Sequence, residues 1–121
     1  MKITMFKIIT LLMFSISSYQ INAQDIKGSW KGTLNVQGTE LPILFHISEK
    51  EGVYTTTMDS PSQGATDIPM DKTTYQDGAL TITLAQAGIK YVATLKEDKI
   101  TGTFYQSGYE FPLIMKLEKK E

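Results

Sequence analysis

The chain has 121 residues, enough for one hydrophobic core and too few for two. Its net charge is −1, all twelve basic residues are lysine, and it contains no cysteine. That composition excludes a disulfide-stapled fold and the cysteine-based zinc sets, and it leaves no bidentate arginine clamp for an anionic ligand.

In chain order, residues 1–23 read as a secretory signal peptide. Lys2 and Lys7 form a basic start, the apolar stretch 8–14 follows, and Ile21-Asn22-Ala23 ends on a small residue suited to cleavage. The apolar run is broken by Ser15, Ser17 and Ser18 and falls short of the ~20 residues a membrane-spanning helix needs. No cysteine follows it, so the expectation is a periplasmic or secreted protein that is not a lipoprotein and has no stable membrane anchor after cleavage. The remaining domain, residues 24–121, holds ten lysines against thirteen carboxylates. A balance of −3 gives no electrostatic reason to expect nucleic acid or an anionic membrane.

Beyond residue 27 the dominant period is two. Trp30, Gly32, Leu34 and Val36 share one face of the first run; Leu41, Ile43, Phe45 and Ile47 share one face of the second. Further runs occupy Val53–Met58, Ala79–Leu84, Ile89–Leu95, Ile100–Gln106 and Tyr109–Leu117, with an eighth within Asp67–Tyr75. Turn signals separate them, among them Glu51-Gly52, Asp77-Gly78, Ala87-Gly88, Glu97-Asp98 and Ser107-Gly108. The pattern predicts an all-β antiparallel meander of about eight strands. A sandwich or a barrel would hide its apolar face; closure into a barrel also removes the edges. Gly32 and Gly102, on inward positions, suit a tightly curved sheet. The segment Asp59–Pro69, with two prolines and little apolar content, reads as a long irregular loop.

Few residues carry chemistry. The one histidine, His46, falls on an outward parity beside Leu44, and no nucleophile elbow is present, so no catalytic residue is assigned. Asp59, Asp67 and Asp71 match no calcium-loop spacing and read as solvated turn acids, so no metal is expected. No glycine-rich phosphate cradle opens a helix, and no cofactor is expected. Parity places Trp30, Leu34, Ile43, Phe45, Ile82, Leu84, Tyr91, Phe104, Phe111, Leu113 and Met115 inside, with Gln106 on the inward face at the end of its strand. An eight-stranded barrel is either filled by its own side chains or holds one small ligand.

Three segments together resemble a known bacterial module: Gly28-Ser29-Trp30-Lys31-Gly32-Thr33-Leu34; Asp59-Ser60-Pro61-Ser62-Gln63-Gly64-Ala65 with Ile68-Pro69; and Gly102–Gly108 with Pro112-Leu113. They look like the small β domain that precedes exported α/β-hydrolases of the serine aminopeptidase and esterase type. Gly-x-Trp in the first strand is also lipocalin-like, without the arginine that usually accompanies the tryptophan. The resemblance implies a stand-alone relative of an accessory domain, since the chain ends at Glu121 before any triad-bearing domain. The leading expectation is a non-catalytic exported barrel binding a small apolar ligand or a partner protein, with Trp30, Ser60, Gln63, Tyr91 and Gln106 as candidate contacts. The alternatives are an accessory subunit of a separate secreted hydrolase and a purely structural envelope protein.

Overall fold

The computed structural model describes residues 25–120. The segment 1–23, read above as a signal peptide, lies outside the described residues. Nine strands follow in order: β1 (Gly28–Val36), β2 (Thr39–Lys50), β3 (Val53–Ser60), β4 (Ala65–Pro69), β5 (Lys72–Gln76), β6 (Ala79–Leu84), β7 (Ile89–Lys96), β8 (Lys99–Gln106) and β9 (Tyr109–Lys120). Eight of them close an antiparallel barrel. β1 pairs with β2 on one side and β9 on the other, and β2 pairs with β3, so the ring has no free edge.

Turn chemistry sets the register. At Gln37-Gly38, Glu51-Gly52, Asp77-Gly78 and Ser107-Gly108 both central residues have positive φ. Such two-residue turns match the right-handed twist of the strands they join. The sequence also offers Gly38-Thr39 as a turn signal, but the turn lies one residue earlier, at Gln37-Gly38.

The segment 59–69 is more regular than its composition predicts. Ser60 is the last residue of β3, Pro61–Gln63 form one 3₁₀ turn, and Ala65–Pro69 return as β4 along β3. Tyr54 of β3 then pairs with Thr73 of β5, so β4 and β5 act as one strand broken at Met70-Asp71. Asp67, at φ 53°, marks the irregularity within β4. Proline and serine content signalled a break in the ladder, and the break is short.

The interior is apolar and dense. Trp30, Ile43, Phe45, Ile47, Leu80, Ile82, Tyr91, Ile100, Phe104, Leu113 and Met115 are buried. Leu84 and Phe111, expected inside, are only partly buried because they stand near one mouth. Phe45 and Tyr91 stack at a tilt with ring centres 5.5 Å apart. Gly32 and Gly102 are required where the sheet coils most tightly. A Cβ on Gly32 would strike the Ile114 carbonyl, and one on Gly102 the Val92 carbonyl.

The two ends differ. At the β1 start, Ile26 is fully buried and its carbonyl accepts a 2.9 Å hydrogen bond from the Trp30 indole N–H. That segment plugs one end. The opposite end, where β1 stops and β9 begins, stays open.

Candidate functional site

The open mouth leads into a cavity of about 310 Å³. Its wall is apolar: Leu34, Val36, Leu41, Ile43, Met58, Ile89, Phe104 and Phe111. Ser107 and Tyr109 of the β8–β9 hairpin form part of the rim, and two primary amides, Gln63 and Gln106, complete it. Alternation along each strand makes this wall, since only residues of inward parity reach it.

The two amides are held differently. Ser60, 2% exposed, donates its hydroxyl to Gln63 Oε1 at 2.5 Å. One lone pair of the Gln63 carbonyl is therefore taken, and its NH₂ group donates to no described protein group. The Gln106 side chain is half-buried and hydrogen-bonds no described protein group, so both its donor and its acceptor are free. Gln106 therefore does not tie down a neighbouring loop among the described residues. No charged side chain lines the cavity, so the site suits a neutral ligand.

The five candidate contacts therefore separate. Gln63 and Gln106 line the cavity, and Ser60 positions Gln63. Trp30 and Tyr91 do not line it: Trp30 belongs to the plugged end, and Tyr91 sits in mid-barrel. The Tyr91 hydroxyl donates to the Leu113 carbonyl at 2.7 Å, and burial pushes its phenol well above the ordinary value. A second buried polar pair, Thr56 and Thr73, shares a 2.7 Å hydrogen bond between β3 and β5. Parity within Thr55-Thr56-Thr57 gave no signal for it, because three consecutive threonines look alike from either face.

A second polar constellation lies on the outer wall, where His46 was expected to be a simple exposed residue. His46 does face outward, but its ring is hydrogen-bonded on both sides. Nε2 lies 2.8 Å from Asp59 Oδ2, and Nδ1 lies 2.7 Å from Ser29 Oγ. A carboxylate only accepts, so Nε2 carries the proton and Nδ1 of the neutral ring accepts from the serine hydroxyl. Asp59 Oδ1 also accepts the Asp67 backbone N–H at 2.8 Å. Burial raises the Asp59 pKa, but the Asp67 N–H and the His46 ring outweigh it and hold the carboxyl below its ordinary value. Asp71 likewise accepts the Ala85 N–H, at 2.6 Å. Neither aspartate is merely a solvated turn acid.

Serine, histidine and aspartate in a hydrogen-bonded row are residue types found together in acyl-transfer sites. Ser29 is the second residue of β1 rather than part of a sharp turn, with ladder neighbours on both flanks, His46 on β2 and Lys119 on β9. It does not line the cavity. The row instead joins β1, β2, β3 and β4.

Comparison with known proteins finds no match to the chain, whether by family model, by curated sequence or by solved structure.

Proposed function

We propose that this chain is a non-catalytic, exported, lipocalin-like binding module that takes one compact, neutral, mainly apolar ligand in the barrel mouth. The observation that carries the reading is the apolar cavity of about 310 Å³ rimmed by Gln63 and Gln106, with no charge in its lining. Small-ligand pockets run from about 300 to 1,000 Å³, so this one suits a short chain or a single ring rather than a bulky lipid. Its apolar wall supplies binding free energy through area removed from water. The amides orient a single polar group, such as an alcohol, ester or amide, because leaving that group unpaired would cost affinity.

The test is displacement of the apolar dye N-phenyl-1-naphthylamine. Octan-1-ol should displace it, and octanoate should do so far less well because no cation waits at the rim. Leu41→Trp, which fills the mouth from a partly exposed position, should abolish dye binding with little change in melting temperature. Dye binding that survives Leu41→Trp, or octanoate competing as well as octanol, would sink this reading.

A second reading, ester hydrolysis, is favoured only by the Ser29–His46–Asp59 row. Under the binding reading that row is structural. Turnover of p-nitrophenyl acetate by the protein should equal that of His46→Ala. A rate that collapses in the variant would favour hydrolysis instead.

A further inference from the structure

The net charge of −1 conceals a separation of charge over the barrel. Segments 25–36 and 89–120, which supply β1, β7, β8 and β9, carry eight lysines against five carboxylates. The intervening segment 39–84, which supplies β2 to β6, carries two lysines against seven carboxylates. The strand order places these groups on opposite halves of the ring. One wall is therefore cationic, at +3, and the other anionic, at −5, so most of the separation is lost in their sum of −2.

On the cationic wall the register lines up four lysines. Lys31 of β1 stands opposite Lys116 of β9, Lys116 opposite Lys99 of β8, and Lys99 opposite Lys96 of β7. Adjacent strands are about 4.8 Å apart, so the row spans about 14 Å across the strands. All four side chains are exposed, and none is ion-paired among the described residues. Like charges directly opposite one another oppose folding, so nothing in the fold accounts for the row. The same wall carries an open groove of about 720 Å³, to which Lys96, Lys99, Thr101, Lys116 and Lys120 contribute. Glu97 and Asp98 sit in the hairpin at one end of the groove, and Glu118 lies further along β9.

On the same outer face, Ile114 of β9 is the outward residue next to Lys116, and Val92 of β7 lies one outward rung further from the row; they are 48% and 41% exposed. Apolar side chains next to a lysine row distinguish a membrane surface from a purely polar polyanion, because they can enter the headgroup layer while the ammonium groups meet the phosphates.

We infer that the β7–β8–β9–β1 wall is a docking surface for an anionic phospholipid bilayer, held by the lysine row and turned away from the acidic half. The barrel mouth plays no part in this inference. The attraction is one of charge density at close range, which falls off within a Debye length.

The experiment is co-sedimentation of the full chain with vesicles of phosphatidylcholine alone or with 30% phosphatidylglycerol, at low and at physiological salt. The readout is the excess bound to the anionic vesicles, which subtracts uncharged apolar contact. Each lysine near the surface contributes about fivefold in partitioning, so Lys99→Gln with Lys116→Gln should lower the excess about 25-fold. The same number of charges removed from the acidic half, Lys50→Gln with Lys72→Gln, should leave it within about twofold. Circular dichroism confirms that both double variants are folded. No anionic excess at low salt, equal losses in the two double variants, or lysine-dependent retention on heparin or duplex DNA without vesicle binding would each overturn the inference.

Discussion

Tyr91 shows how one polar atom is accommodated in an apolar barrel. Its ring fills space against Phe45, and its hydroxyl reaches the Leu113 carbonyl, so the phenol is buried only in its neutral, donating form. Ionisation would strip that proton inside the core, which is why the folded-state pKa lies above the ordinary tyrosine value of about 10. A raised pKa means the folded protein holds the proton more tightly than the unfolded chain. The resulting stability is fully present below about pH 10 and is lost as pH climbs beyond it. Tyr91→Phe should therefore cost about 0.5–1.5 kcal/mol at neutral pH through the lost hydrogen bond. It should also flatten the alkaline decline in stability, as read by urea midpoints from pH 8 to 11. An unchanged alkaline slope would mean the phenol is not the group responsible. The inward place of Tyr91 was legible from parity, as it was for Trp30, Phe45 and Phe104. Its acceptor was not, because Leu113 meets it only through the packing of β7 against β8 and β9.

Between strands, the row Ser29–His46–Asp59 acts as a latch. Ser29 and His46 are direct cross-strand partners, whereas Asp59 reaches the ring diagonally from β3 and also caps the Asp67 amide of β4. Removing the carboxylate in Asp59→Ala should cost about 1.5–3 kcal/mol at pH 7, the range for a hydrogen bond to a charged group. Because the folded pKa of Asp59 is lowered, this contribution is present above the ordinary carboxylate value of about 3.9 and fades as pH falls through the folded one. The stability gap between the protein and Asp59→Ala should narrow accordingly, and a gap constant from pH 7 to 2.5 would contradict the latch. None of this could be read from the chain alone. The three residues are separated by 17 and 13 positions, and their meeting depends on turns placed to the residue. Strand existence was plain from alternation. The β4 hairpin was hidden because Pro61, Ser62 and Gly64 describe only its turn, and polar Thr66 and Asp67 mask the short strand beyond.

At the scale of the whole molecule, the barrel has a plugged end, an open end and two oppositely charged walls. Ile26 and Trp30 seal the first end, while the second keeps its apolar lining partly exposed. Sequence parity correctly placed Gln106 inward but could not show whether the space around it was filled, because cavity volume depends on how eight strands coil together. Gln63 was legible only as part of a distinctive segment; its role as a rim amide follows from the 3₁₀ turn and from Ser60. The charge separation was invisible to composition because the two halves, +3 and −5, largely offset one another.

The central claim is that the mouth binds a neutral apolar ligand, and amide chemical-shift mapping tests it most directly. Titration of the ¹⁵N-labelled protein with octan-1-ol should give saturable shifts at Leu34, Val36, Leu41, Ile89, Gln106 and Tyr109. The plugged end at Trp30 and Ile47 should remain still, and Leu41→Trp should remove the response. Shifts that fail to saturate, that spread to the plugged end, or that persist in Leu41→Trp would contradict the account.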